Sequence, residues 1–239
     1  MEEQNTITFK YICDSDLIDL YFVKKYLDTR TSNRIFLRIL YMPYSRMDRV
    51  ENDSAFTLKY VCDFINLMNF CRIDVYEPHS DMTSGLLNNC VVINMSAELF
   101  DIYNWDMNFN KDTDYIYFPD AGADKRYSKL IKGYKTLVGF KKRDFKTGDI
   151  LGLEIFGDTD LNGARVVIID DLSSAGGTFY FGAKKLKEIG AGDIYLVVTH
   201  CEDTIHKGEL LKTDYIKQIF TTNSILTMTH EKIKVMRIL

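Results

Sequence analysis

Residues 165–189 read RVVIIDDLSSAGGTFYFGAKKLKEI. Val166, Val167, Ile168 and Ile169 form a short β-branched run, with Gly163 before it and two acids behind it. Such a run predicts a strand buried on both faces, the environment of a parallel sheet. Asp170 and Asp171 stand at its carboxyl end, and Ser173, Ser174, Ala175, Gly176, Gly177 and Thr178 make a loop of small residues. A helix follows, with Phe181, Leu186 and Ile189 as apolar positions and Gly190 as its stop. Loop N–H groups and the N–H groups at a helix start converge on an anion, so this layout suits a phosphate. The two acids repel phosphate; at a strand end they suit sugar hydroxyls or Mg²⁺. A glycine loop alone is ordinary strand–helix connection chemistry. Two like charges directly after a four-residue apolar run are the stronger signal. No Lys follows the glycines, so the loop is not a Walker A motif, and it is not G-x-G-x-x-G.

Working outward, apolar runs and helix-periodic stretches alternate along the chain. Strands are expected at Thr6–Cys13, Arg34–Met42, Arg72–Tyr76, Val91–Met95, Tyr115–Phe118 and Thr136–Phe140. Further strands are expected at Leu151–Phe156, Ile194–Val198, Gln218–Thr221 and Ile233–Ile238. Leu17–Leu27 predicts a helix capped by Asp14 or Ser15. Ser54–Phe70 predicts another, with Phe56, Tyr60, Val61, Phe64, Ile65 and Met68 on its apolar side. Helices are also expected at Ser96–Tyr103 and, following the acid and glycine after the Tyr115–Phe118 strand, to about Lys132. The alternation predicts an α/β protein with parallel sheets. The polar stretch Asn104–Asp114 divides it into halves 1–103 and 104–239.

Four more motifs fall at strand ends, where such sheets bind ligands. Pro43-Tyr44-Ser45-Arg46-Met47-Asp48-Arg49 offers arginines suited to phosphate oxygens, although it reads equally as a solvated loop. In Glu77-Pro78-His79-Ser80-Asp81 a histidine sits beside two acids and is either structural or a ligand for a nucleotide-borne metal. Pro119-Asp120-Ala121-Gly122 again places an acid and a glycine after a strand. The basic run Lys141–Asp149 is either a hairpin tip or a mobile lid bringing cations onto a polyphosphate.

Composition narrows the classes. Thirty Lys and Arg against thirty-four Asp and Glu give a net charge of −4, which implies no general affinity for nucleic acid. The five cysteines are scattered without a C-x-x-C pair and read as buried free thiols of a reducing, cytoplasmic setting, with no zinc site. The acidic, polar start MEEQNTITFK is no signal peptide, and no apolar run approaches the roughly 20 residues of a membrane helix.

In this order, PYSRMDR, EPHSD, FPDAGADKR, KKR and IIDDLSSAGGT resemble the signature series of the ribose-phosphate pyrophosphokinases (phosphoribosyl-diphosphate synthetases). The resemblance runs from about Leu17 onward and is similar to a shortened, phage-like member of the family. It implies two phosphoribosyltransferase-like α/β halves, homo-oligomers, and Mg²⁺-dependent transfer of the β,γ-diphosphate of ATP to the anomeric hydroxyl of ribose 5-phosphate. By this resemblance Asp170, Asp171 and Ser173 to Thr178 hold the ribose hydroxyls and the 5-phosphate. Asp120 and His79 contact Mg²⁺ and nucleotide, Arg46 and Asp48 face ATP, and Lys141 and Arg143 are the catalytic lid cations. The family's Phe-Ser-Asp-Gly-Glu adenine loop has no match here, and Met47 stands where Gln is usual. A larger 5′-substituted acceptor such as ADP-ribose is therefore expected beside ribose 5-phosphate, with a place in nucleotide or nicotinamide-dinucleotide metabolism. The alternatives are a type I phosphoribosyltransferase and a non-catalytic regulatory homologue.

Overall fold

The computed structural model describes residues 4–143, 150–158 and 160–238. The chain divides into two compact units, Met1–Met95 and Ser96–Ile238. The sequence placed the boundary between 103 and 104. The helix Met95–Met107 goes with the second unit because its Leu99 and Phe100 are fully buried and Phe100 meets Phe109 and Tyr134 at 5.5 and 5.3 Å. Tyr103 of the same helix stacks on Phe220 at 4.6 Å.

The first unit holds β1 (Gln4–Phe9), α1 (Ser15–Arg30), β2 (Arg34–Ile39), α2 (Thr57–Asn66), β3 (Arg72–Tyr76), α3 (Asp81–Leu86) and β4 (Cys90–Ile93). Its sheet is parallel throughout, in the order β1-β2-β3-β4. A monotonic order with right-handed crossovers puts successive helices on one face. One apolar cluster accordingly joins Leu17 and Leu20 of α1, Val61 and Ile65 of α2, and Ile35, Leu37, Ile73 and Val75 of the strands. Tyr60, expected on the apolar side of α2, is 61% exposed; Leu58 and Cys62 are buried instead. Asp14 occupies the cap position of α1, yet its carboxylate accepts the Tyr11 and Tyr44 hydroxyls. Asp16 reaches back to the N–H groups of Ile12 and Cys13.

The second unit holds α4 (Met95–Met107), β5 (Tyr115–Phe118), α5 (Ala121–Tyr127), β6 (Lys135–Arg143), β7 (Ile150–Phe156), β8 (Val166–Ser173), α6 (Gly177–Glu188), β9 (Ile194–Cys201), β10 (Gln218–Thr222) and β11 (Ile233–Met236). The strand order is β11-β10-β9-β8-β5-β6-β7, parallel except for the antiparallel β6–β7 pair. The chain runs outward from β5 to β7, then returns to place β8 on the other side of β5. That reversal is the crevice where open α/β sheets bind ligands. Val166 to Ile169 are fully buried, as expected, and each contributes about 1.5–3 kcal/mol by leaving water. β8 continues past them, so Asp170, Asp171 and Ser173 are strand residues rather than loop. Phe181 of α6 is 61% exposed, against expectation; Phe179, Ala183 and Leu186 face the core. No described helix is long and apolar enough to cross a membrane. All five cysteines are free; Cys62 and Cys201 are buried as expected, but Cys13 and Cys71, just outside the strands and helices that form the core, are exposed.

Candidate functional site

Each unit carries a cluster of polar side chains beyond its strands. In the first unit the loop after β2 turns at Tyr44, whose φ of 57° is left-handed. Asp48 is buried, and Arg49 Nε donates to its Oδ1 at 3.0 Å. Burial pushes the Asp48 carboxyl up; the Ser80 hydroxyl, Arg49 and the half-buried His79 outweigh it and hold the group below its ordinary range. Ser80 and His79 of EPHSD thus lie near enough to act on the charge of Asp48 in PYSRMDR. Arg46 stands exposed on the same loop. Glu77 is buried with a left-handed φ of 42°, and its N–H donates to the Ile93 carbonyl at 2.8 Å.

In the second unit the cluster gathers at the reversal of strand order. Asp120, after β5, caps α5: its Oδ1 accepts the N–H groups of Gly122 and Ala123 at 2.9 and 3.0 Å. Arg126, one helix turn further on, lies 3.2 Å from Oδ1 of the buried Asp171. Burial works against the Arg126 charge, but Asp171, Tyr127 and Asp170 outweigh it and drive the guanidinium further into its charged form. Asp170 is the opposite case. Burial, the Asp171 charge and, more weakly, Asp120 push its carboxyl well above the ordinary range, although it accepts the Asp171 N–H at 2.9 Å. A carboxyl in that state donates or accepts with little cost, which suits hydroxyl partners.

The anion cradle is shorter than expected. Ser173 is fully buried at the end of β8, where its hydroxyl donates to the Ser174 carbonyl at 3.4 Å, so it is not a loop residue. Ser174, Ala175 and Gly176 form the connection, and Gly177 and Thr178 open α6. The first helical bond runs from Tyr180 N–H to the Gly176 carbonyl at 2.9 Å, so the N–H groups of 177–179 precede the ladder. Gly176 has φ +80°, and a Cβ there would overlap Leu210. A Cβ on Gly208 would overlap the Ala175 carbonyl oxygen. The loop is therefore backed by 208–210, which the sequence reading missed because a lone Gly in a polar stretch carries no pattern. Arg126 was visible only as part of FPDAGADKR.

Lys141 and Arg143 lie on β6, paired with Leu153 and Ile150 of β7. Their side chains and residues 144–149 lie outside the described residues. His79 and Asp120 were expected as metal ligands. Among the described residues no group of three or more His, Cys, Asp or Glu converges on one point. Mg²⁺ keeps several waters and needs only one or two protein carboxylates, so an oxygen donor such as Asp120 fits it.

The two largely parallel sheets with helices between their strands define an α/β protein. The chain matches no protein-family model. Curated proteins named ribose-phosphate pyrophosphokinase do match it. That of Sulfurisphaera tokodaii is 26% identical over 215 residues, 89% of this chain and 72% of the relative. That of Fusobacterium nucleatum is 25% identical over 228 residues, 95% of this chain and 72% of the relative. A crystal structure of phosphoribosylpyrophosphate synthetase from Mycobacterium smegmatis superposes with a TM-score of 0.77 over 98% of this chain and 78% of that one; at 18% identity it speaks for the fold. The chain is a homologue of ribose-phosphate pyrophosphokinases, which are diphosphotransferases, and the resemblance read from its motifs is borne out.

Proposed function

We propose that this protein transfers the β,γ-diphosphate of ATP to the anomeric hydroxyl of a ribose 5-phosphate group, releasing AMP. The observation that carries the proposal is the second unit's arrangement: an acid pair, a short glycine connection and a helix start at a strand-order reversal. In the reaction the anomeric oxygen bonds to the β-phosphorus, and the bond from that phosphorus to the α,β-bridging oxygen breaks, leaving AMP. Asp170 and Asp171 take the ribose hydroxyls, and the 174–178 backbone takes the 5-phosphate. Arg126 keeps Asp171 oriented toward the sugar. Arg46, Asp48 and His79 serve the nucleotide. Lys141 and Arg143 are the cations for the transferred group, in accord with the need of phosphoryl transfer for positioning and charge neutralisation. Mg²⁺ held by Asp120 would neutralise charge on the polyphosphate.

The acceptor is ribose 5-phosphate or the same group within ADP-ribose. We extend the proposal to a cytoplasmic homo-oligomer, which light scattering of the intact chain tests. The test of function is AMP release from ATP and Mg²⁺ with ribose 5-phosphate, with ADP-ribose, and with neither. Acceptor-stimulated AMP is the expected result. No stimulation by either acceptor, in a folded sample, overturns the proposal in favour of a transferase or a regulatory homologue.

A further inference from the structure

We propose that Ser96, with Thr199 behind it, is a positioning residue for Asp170. The inference rests on the acid pair being the ribose-hydroxyl site. Ser96 sits in the first turn of α4 and is fully buried. Its Oγ lies 2.8 Å from the Asp170 carbonyl oxygen, 2.8 Å from Thr199 Oγ1, and accepts the Thr199 N–H at 3.1 Å. In a parallel ladder with Asp170 opposite Val198, the Thr199 N–H aims at the Asp170 carbonyl. The serine hydroxyl bridges those same two groups, a side chain set into the ladder between β8 and β9.

One hydroxyl carries one proton. Ser96 gives its proton to the Asp170 carbonyl, so the Thr199 hydroxyl is the donor to Ser96. The direction of the chain is thereby fixed: Thr199 to Ser96 to Asp170. Thr199 is itself anchored, because its carbonyl accepts the hydroxyls of Thr221, Thr222 and Ser224 at 3.2, 2.7 and 3.4 Å. The relay acts on one peptide plane. The Asp170 carbonyl and the Asp171 N–H belong to the same peptide unit, and that N–H donates to Asp170 Oδ1 at 2.9 Å. Fixing the carbonyl fixes the N–H, and the N–H fixes the carboxyl. The helix α4 thereby sets the aim of the carboxyl without touching substrate.

The test compares Ser96→Ala, Thr199→Val and Thr199→Ser with the wild type. For AMP release, Ser96→Ala is expected to raise the KM for ribose 5-phosphate about tenfold and leave the KM for ATP within about twofold. Thr199→Val, which removes the hydroxyl at constant shape, is expected to follow it at about threefold, and Thr199→Ser to match the wild type. Amide hydrogen exchange at Asp171, followed by NMR, is an activity-independent readout: it is expected to speed up in Ser96→Ala and Thr199→Val only. Equal changes in both KM values, or Thr199→Ser as damaging as Thr199→Val, overturn the positioning role. A wild type silent toward both acceptors overturns the functional reading instead, and the Asp171 exchange then decides the relay by itself. If Ser96→Ala does not fold, the two Thr199 variants carry the same decision.

Discussion

Asp48 in the loop after β2 and Asp170 within the last part of β8 are both acids near the carboxyl ends of buried parallel strands, but their surroundings drive their protons in opposite directions. Asp48 sits among Ser80, Arg49 and His79, which hold it charged against burial. Asp170 sits beside Asp171 and within reach of Asp120, and burial adds to the same upward push. The sheets differ in the same places. The first runs monotonically from β1 to β4 and has no reversal; the second reverses between β5 and β8. A reversal opens a crevice and lets two strand ends aim at one point. In the first unit Asp48 faces Arg49 and His79, whereas the second unit sets two acids side by side with Arg126 against one of them. Such a pair is costly unless a ligand uses it.

The largest expected effect tests the compensation inside the second unit. Arg126→Met leaves Asp171 buried without its cation, which is expected to cost about 3–5 kcal/mol of unfolding free energy in urea titration. Loss of less than about 1 kcal/mol would mean that Asp171 is not held by this pair. Next comes the loop. Gly176→Ala forces a Cβ into a left-handed position against Leu210, at an expected cost of about 1–3 kcal/mol. The KM for ribose 5-phosphate is expected to rise about tenfold with the KM for ATP unchanged; the opposite split would place the nucleotide at this loop.

The smallest effect sharpens the contrast between the two acids. Asp48 is lowered, so its contribution to stability is present above the ordinary carboxyl range and lost as pH falls through its folded value. Asp170 is raised, so its contribution is full below the ordinary range and lost as pH rises through its folded value. At neutral pH Asp48→Asn is therefore expected to be less stable than the wild type and Asp170→Asn more stable. Both differences close in acid. Urea midpoints across the acid range measure this, and like signs for the two variants would refute the contrast.

How much of this was legible in the sequence differs between the units. Val166 to Ile169 announce a doubly buried strand because nothing else explains four β-branched residues in a row, and Asp170-Asp171 mark its end. That β8 continues to Ser173 was not legible, because Ser173 pairs with Cys201 on β9, a partner remote in the sequence. Phe181 and Tyr60 misled the helix readings for a related reason: size and apolarity do not say which face a helix turns to the core. The contact between Arg126 and Asp171 joins residues from different elements, and the bridge from Ser96 to Asp170 spans 74 positions. Neither carries a local pattern. The motifs marked which loops are chemical; strand order decided which side chains meet.

The most direct test of the contrast is a calorimetric titration of ribose 5-phosphate into the wild type, Asp48→Asn and Asp170→Asn in Mg²⁺ without ATP. The account predicts that Asp48→Asn binds within about twofold of the wild type and that Asp170→Asn loses at least about tenfold in affinity. Equal loss in both variants, or loss in Asp48→Asn alone, would contradict the assignment of the ribose phosphate to the second unit.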